Sequence, residues 1–156
     1  MTELPYELPA PAQSWLRESR TVLLATHENP DADGLGSLTG CGLALSRLGY
    51  EVSRLGNGPI PRPLDELPGL DSLPRDDGAT AYDLALVFDC RSAARLGSDA
   101  PALERCNRVL VIDHHPPVEG EDSAGLDWVV PTAPATTLLT LSLITTLGGI
   151  ETVNAD

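Results

Sequence analysis

Lysine is absent from this chain of 156 residues, whose ten basic residues are all arginines. Its absence excludes catalysis by a lysine side chain, such as Schiff-base chemistry. Positive charge is scarce as well, because 23 acidic residues give the chain a formal net charge of -13. Such a chain is unsuited to holding long duplex nucleic acid through a basic face. An anionic substrate would need metal ions to offset the repulsion.

Long hydrophobic runs and paired cysteines are also missing. No segment reaches the ~18 consecutive apolar residues of a membrane span, and residues 1–20 lack the basic and apolar regions of a signal peptide. The three cysteines, at positions 41, 90 and 106, form no C-x-x-C pair, which indicates reduced thiols. We therefore expect a cytoplasmic protein with no membrane partner.

Apolar runs of β-type residues alternate with helix-like segments along the chain. Residues 1–156 suffice for one domain, and the alternation predicts an α/β fold with a doubly wound, Rossmann-like parallel sheet and helices on both faces. The Pro- and Gly-rich stretch 57–75 predicts an irregular connection. The predicted strands are 21–26, 51–55, 82–89, 108–112 and 127–130, and the predicted helices are 11–19, 35–48, 100–105 and 134–147.

The three histidines of the chain all come directly after predicted strands. His27 follows the first strand, and His114 and His115 follow the fourth. Aspartates fall at the same strand ends, which meet along one edge of a parallel sheet, where ligands bind. Three imidazoles and four carboxylates in one crevice require cations, and this mixed donor set suits manganese or a related divalent ion. The aspartates are Asp31, Asp33, Asp89 and Asp113.

Each of these residues, taken alone, also has a structural interpretation. Asp31 or Asp33 can cap the following helix, and Asp89 can cap a helix or turn the chain. His27 can be a hydrogen-bonded histidine at a strand end. The set as a whole favours a metal site, because unrelated structural uses would not bring every histidine to strand-terminal acids.

Three motifs, in order along the chain, resemble those of the DHH phosphoesterase superfamily, which includes RecJ-like nucleases. The resemblance covers essentially the whole chain and implies the DHH-domain type of α/β fold. Three shorter segments, Arg95-Leu96-Gly97, Leu67-Pro68-Gly69 and Ala135-Thr136, resemble the NrnA-type branch of oligoribonucleases and 3'-phosphoadenosine 5'-phosphate phosphatases. The three motifs are His27-x-x-Pro30-Asp31-x-Asp33-x-x-Gly36-Ser37, the strand-end Asp89, and the triplet Asp113-His114-His115.

The resemblance implies a centre of two Mn²⁺ ions, with Mg²⁺ or Co²⁺ as alternatives. The first ion would be held by His27, Asp31 and Asp89. The second would be held by Asp33, Asp89 and His114, so that Asp89 bridges the two. The implied catalytic roles fall on Asp89, on Asp113, which would orient a histidine, and on His115, which would face the substrate phosphate.

Substrate contacts are implied for His115, Ser37 and Arg95. The backbone amides of residues 34–37, at a helix start, would help to hold a phosphate, unless Gly34 and Gly36 serve only a tight turn. Arg95 lies a short distance past Asp89, within reach of a phosphate; a solvated surface role is the alternative.

The resemblance therefore implies a manganese-dependent phosphoesterase that hydrolyses small nucleotides by attack of a metal-activated water. The expected substrates are short oligonucleotides, 3'-phosphoadenosine 5'-phosphate or cyclic dinucleotides, and a homodimer is one expected assembly. The alternatives are a truncated, non-catalytic module that binds metal or nucleotide, half of a split enzyme, and a family II inorganic pyrophosphatase.

The chain departs from the family at its C-terminal end. The family has a fourth motif, an aspartate that completes the second metal site, and then a smaller DHH-associated domain. Residues 152–156 resemble the approach to that motif, while Asp127 and Asp156 do not match it. Residues 1–156 are therefore expected to be an incomplete DHH catalytic core, truncated at the C-terminus, whose second metal site lacks one ligand.

Overall fold

The computed structural model describes residues 6–56, 58–70 and 73–148. This part of the chain forms one all-parallel sheet of five strands in the order β2-β1-β3-β4-β5. It confirms the predicted α/β fold class. The strands are β1 (Thr21–Thr26), β2 (Glu51–Arg54), β3 (Leu84–Phe88), β4 (Val109–Asp113) and β5 (Leu126–Val129). The helices are α1 (Ala10–Glu18), α2 (Ala32–Arg47) and α3 (Thr136–Thr146), with 3₁₀ segments at Leu64–Glu66 and Ala93–Arg105.

The central strands are buried on both faces, which explains their nearly continuous apolar sequences. All five residues of β3 are buried. On one face, Leu24, Leu86 and Ile112 belong to a core shared with the α-helices of the described chain, α1, α2 and α3. On the opposite face, residues such as Leu23 and Val87 pack beneath the 3₁₀ segment Ala93–Arg105.

The 3₁₀ segment Ala93–Arg105 differs from the short helix predicted at 100–105. It begins earlier and is interrupted at Gly97, where φ is 61°. Pro101 lies inside it and lacks the backbone N–H that a continuous helix would use. One face of the sheet is therefore covered by α-helices and the other by 3₁₀ turns.

Helix α2 begins at Ala32, three residues before the predicted start at 35, so that Asp33 and Gly34 lie in its first turn. Helix α3 begins at Thr136 rather than at 134. Apart from Leu64–Glu66, the described part of 57–75 is irregular, as predicted. The residues predicted to approach the fourth motif, 152–156, lie outside the described residues, as does Gly149. No helix in the described residues has the length and apolar character needed to cross a membrane.

Strand register brings three polar residues to one edge. Thr26 of β1 is level with Phe88 of β3, and Phe88 is level with Ile112 of β4. The next residue of each strand is His27, Asp89 or Asp113, so these three side chains start side by side at the carboxyl edge.

Candidate metal centre

Two groups of three potential ligands form among the described residues at this edge of the sheet. In each group the ligand atoms lie within 4.8 Å of one another. The first group is His27, Asp31 and Asp89, and the second is Asp89, His114 and His115. Asp89 is common to both, so one carboxylate lies between two clusters of donors.

His27 anchors the first group. Its Nε2 lies 3.8 Å from Asp31 Oδ1 and 3.7 Å from Asp89 Oδ2. Its other nitrogen, Nδ1, lies 2.9 Å from the carbonyl oxygen of Glu28. Because a carbonyl can only accept, Nδ1 carries the proton in the neutral ring, and the lone pair of Nε2 faces the two carboxylates.

His114 is held in the same way in the second group. Its Nδ1 donates to the carbonyl oxygen of Ala133 at 3.2 Å. Its Nε2 lies 3.8 Å from Asp89 Oδ1 and 3.5 Å from Asp33 Oδ2. The predicted ligands Asp33, Asp89 and His114 are thus brought together, with Asp33 adjoining the second group through His114.

His115 contacts Asp113 as well as Asp89. Its Nδ1 lies 2.8 Å from Asp113 Oδ1, which also accepts the backbone N–H of His115 at 3.0 Å. Asp113 is buried, with 2% of its surface exposed, while 54% of the His115 side chain is exposed. Asp113 therefore fixes the ring of His115 at the mouth of the site.

Asp31 combines the two roles that the sequence left as alternatives. It is the N-cap of α2, where its Oδ1 accepts the backbone N–H groups of Asp33 and Gly34 at 3.1 and 3.0 Å. The same carboxylate belongs to the His27 group. A carboxylate has about four lone-pair positions, so capping the helix leaves room for a metal ion.

Asp33 caps a helix too, but not its own. Its two oxygens accept the backbone N–H groups of Thr136 and Thr137, both at 2.8 Å, at the start of α3. Thr136 also donates its hydroxyl to Asp89 Oδ1 at 3.0 Å. In the sequence, Thr136 stands out only as part of Ala135-Thr136, which resembles the NrnA-type branch, and no local pattern identifies its partners.

Asp89 has an unusual backbone. Its φ is 56°, in the left-handed region, which asparagine and aspartate tolerate better than most other residues. The residue is 1% exposed, and its backbone N–H donates to the carbonyl oxygen of Ile112. This turn directs the carboxylate across the strand ends, between His27 and His114.

The surroundings of Asp89 favour the charged form of its carboxylate. Burial on its own would raise the pKa of Asp89, but the facing imidazole of His27 and the hydroxyl of Thr136 outweigh burial, and its pKa lies below the ordinary value. The Asp89 carboxylate in turn raises the pKa of His27, against the effect of burial. A cation that binds Nε2 of His27 competes with the proton that the Asp89 carboxylate favours there.

The donor set fits a divalent cation. The nitrogens of His27 and His114 face carboxylate oxygens at 3.5 to 3.8 Å, too far for good hydrogen bonds but near enough for both atoms to bind one ion. Imidazole and carboxylate together suit manganese, iron, zinc and related metals. The carbonyl partners of the two histidines supply the outer contacts typical of metal-binding imidazoles.

The structure corrects the expectation for Ser37 and the neighbouring glycines. Ser37 is fully buried, and its hydroxyl has no hydrogen-bond partner, so its side chain is not placed to contact a substrate. Gly34 and Gly36 lie inside α2 rather than in a turn. A Cβ on Gly34 would lie 2.4 Å from the hydroxyl oxygen of Thr26, which means that Gly34 permits close packing of α2 on β1.

Arg95 lines a cavity of about 260 Å³ beside the centre. Its backbone carbonyl accepts the N–H of Glu28 at 2.8 Å, which ties it to the chain just after His27. Arg95 is exposed, and it is not among the described arginines that form ion pairs. The cavity is lined by Arg91, Arg95, Asp113, His115, Pro116, Val118 and Glu121.

Comparison with known proteins identifies a family and a similar solved structure. The DHH family, N-terminal domain, matches residues 21–155. The fold is similar to the crystal structure of an exopolyphosphatase-related protein from Bacteroides fragilis, with a TM-score of 0.75 and 22% sequence identity. That match covers 88% of this chain and 42% of the other, so this chain spans less than half the length of that protein.

Proposed function

Because the chain belongs to the DHH family, a metal-dependent family whose N-terminal domain matches residues 21–155, we propose that it is a manganese-dependent phosphoesterase acting on small nucleotides. The observation that carries the proposal is the division of Asp89 between two ligand groups. Its Oδ2 faces His27, and its Oδ1 faces His114 and His115. A buried carboxylate with this arrangement suits a bridge between two cations.

The residues of the centre have separate proposed roles in binding the metal ions and the substrate. His27, Asp31 and Asp89 would hold one ion, and Asp33, Asp89 and His114 a second. When bound, such ions supply positive charge for phosphoryl oxygens and lower the pKa of an attacking water. Asp113 holds the His115 ring through Nδ1, and the opposite ring nitrogen, Nε2, is the atom available to a phosphate oxygen. This supports a substrate-facing role for His115 rather than a role as a ligand.

The proposal is tested with the whole chain and a panel of phosphate compounds in Mn²⁺. We expect turnover of a short diribonucleotide, 3'-phosphoadenosine 5'-phosphate or a cyclic dinucleotide, loss of turnover in excess EDTA, and recovery when Mn²⁺ is restored. Pyrophosphate and inorganic polyphosphate complete the panel, the latter because the similar Bacteroides fragilis protein is described as exopolyphosphatase-related. Faster hydrolysis of pyrophosphate than of any nucleotide would favour the pyrophosphatase alternative.

A chain that binds Mn²⁺ but hydrolyses none of these compounds would favour the non-catalytic or split-enzyme alternative. A chain that binds no Mn²⁺ would overturn the proposed centre itself. Calorimetric titration with MnCl₂ separates these two outcomes, because it needs no substrate.

Arg95 is proposed to contact a second phosphate of the substrate. It shares its cavity with His115, and the cavity's other arginine, Arg91, is already paired with Asp127 at 2.9 Å. Arg95 thus brings a positive charge to the mouth of the centre without a carboxylate partner among the described residues. In a chain of net charge -13, this charge can select for anionic groups beyond the scissile phosphate.

The variant Arg95→Gln is expected to raise KM for whichever nucleotide of the panel is hydrolysed. A hydrogen bond to a charged group contributes about 1.5–3 kcal/mol, so the increase should be roughly 10- to 100-fold, with a smaller change in kcat. Steady-state kinetics at saturating Mn²⁺ make the measurement. Arg62→Gln is the control, since Arg62 is 91% exposed and lies outside the cavity lining. Equal KM values for the two variants would reject the phosphate contact.

A further inference from the structure

The segment that leads into α3, residues 133–137, contacts every proposed ligand of the second ion. We call it the α3 lead-in. Within it, the carbonyl oxygen of Ala133 accepts a hydrogen bond from Nδ1 of His114 at 3.2 Å. It donates two backbone N–H groups to Asp33, and the Thr136 hydroxyl to Asp89, at 3.0 Å. Three ligands from three different parts of the chain therefore share one support.

The local sequence explains why the α3 lead-in turns to these partners. The N-cap residue of α3 is Ala135, which makes no side-chain hydrogen bond to the first turn. The free N–H groups at a helix start need acceptors, and Asp33, 103 residues earlier, provides them. The positive end of the helix dipole also favours a carboxylate there. The first turn of α3 is thereby fixed against the metal centre.

Thr136 differs from the other members of the lead-in because it uses its side chain. The residue is fully buried, and its hydroxyl lies 3.0 Å from Asp89 Oδ1. That oxygen is the one facing His114 and His115, whereas Oδ2 faces His27. The hydroxyl contact is thus on the side of Asp89 that serves the second group.

We propose that Thr136 is a positioning residue for the second metal position, where its hydroxyl holds Asp89 Oδ1 facing His114. The inference rests on the proposed metal centre. It assigns Thr136 no contact with substrate. Without the hydroxyl, Asp89 keeps its charge and its contact with His27, but its Oδ1 loses the donor that holds it toward His114.

The test compares Mn²⁺ binding by Thr136→Val, Thr136→Ser and Thr140→Val, using calorimetric titration. Thr136→Val removes the hydroxyl and keeps the branched shape. Thr136→Ser keeps the hydroxyl. Thr140→Val is the matched control, because Thr140 is a buried threonine one turn along the same helix whose hydroxyl bonds to the carbonyl of Thr136 rather than to a ligand.

Loss of an outer contact to a metal ligand typically costs 10- to 100-fold in affinity, and we expect a loss of about this size in Thr136→Val alone. The loss should combine with that of the ligand variants in a specific way. In a double-mutant cycle, Thr136→Val should cause almost no further loss of Mn²⁺ affinity in the His114→Gln background, because the two residues serve the same metal position. In the His27→Gln background, Thr136→Val should cause its full loss of Mn²⁺ affinity.

Three outcomes would overturn the proposal: wild-type affinity in Thr136→Val, an equal loss in Thr140→Val, or coupling to His27 instead of His114. If circular dichroism shows that Thr136→Val does not fold, the Mn²⁺ affinities of Thr136→Ser and Thr136→Ala are compared instead. These two variants differ only in the hydroxyl, and neither adds a methyl group in its place. Wild-type protein that binds no Mn²⁺ would instead refute the metal centre. Failure of the inference and failure of the proposed function thus remain distinguishable.

Discussion

Replacing Asp89 by asparagine is expected to abolish Mn²⁺-dependent hydrolysis and to weaken Mn²⁺ binding more than any other single change at the centre. Asp89 is the carboxylate common to both ligand groups. The loss of Mn²⁺ affinity in Asp89→Asn should exceed the roughly 10- to 100-fold loss that is typical when an outer contact is removed, because both ligand groups lose a charged ligand at once. Calorimetric titration with MnCl₂ and turnover of the best substrate in the panel measure the two effects.

Asparagine is the informative replacement because of the backbone at this position. Asp89 has a φ of 56°, a conformation that costs most non-glycine residues about 1–2 kcal/mol but that asparagine adopts readily. An alanine variant would combine that cost with the loss of charge. Asp89→Asn keeps the shape and the backbone preference, so its effect reports the carboxylate itself.

Asp99→Asn is the matched control. Asp99 is also a buried aspartate, 3% exposed, and it accepts a backbone N–H from Asp76, away from both ligand groups. We expect this variant to bind Mn²⁺ and turn over substrate as the wild type does. If Asp89→Asn kept the metal affinity and activity of Asp99→Asn, Asp89 would have no bridging role and the proposed centre would be wrong.

The sequence was sufficient for the features that depend on local pattern. Runs such as Leu84–Phe88 are nearly all apolar, as buried parallel strands are, and the strand-helix alternation predicts the parallel sheet that is observed. Once the strands were placed, the edge at which His27, Asp89 and His114 meet followed from the rule that parallel strands end together. The fold and the meeting of these residues at one edge of the sheet were therefore predictable without knowledge of any long-range contact.

Features that depend on long-range contacts were not predictable. The sequence allows Asp33 to cap its own helix, but Asp33 caps α3 through Thr136 and Thr137. No local pattern specifies that partner, because it depends on how α2 and α3 meet over the sheet. The left-handed backbone of Asp89 is likewise set by its surroundings, since aspartate is compatible with several conformations.

Ser37 shows a different reason for error. Its position in the motif suggests a substrate contact, and the amides of residues 34–37 are expected to hold a phosphate at a helix start. Helix α2 in fact begins at Ala32, so residue 37 is already in the second turn and faces the core. A shift of three residues in the helix start was enough to move this side chain from the expected surface to the interior.

Gly34→Ala and Gly40→Ala are expected to change stability in opposite directions, although both replace a glycine in α2. Alanine is favoured over glycine inside a helix by about 0.5–1 kcal/mol. At Gly40 no atom lies within 4 Å of the new Cβ, so Gly40→Ala should raise the free energy of unfolding by about this amount. Urea unfolding of the metal-free protein measures both variants.

At Gly34 a steric clash outweighs the helix preference. The new Cβ would lie 2.4 Å from Thr26 Oγ1 and 3.4 Å from its Cβ. Thr26 is buried, is stiff at χ1 because it is β-branched, and donates to the carbonyl of Phe88 at 2.9 Å. Overpacking of this kind costs typically 1–3 kcal/mol, so Gly34→Ala should lower the free energy of unfolding.

The same clash connects stability to the metal centre. Relief requires α2 to move away from β1, which displaces Asp31 and Asp33 from His27 and His114. Gly34→Ala should therefore weaken Mn²⁺ binding as well, whereas Gly40→Ala should not. In a Thr26→Ala background most of the penalty should disappear, since the clashing hydroxyl is gone. Unchanged stability and unchanged Mn²⁺ affinity of Gly34→Ala would instead show that the packing of α2 on β1 does not require glycine at position 34.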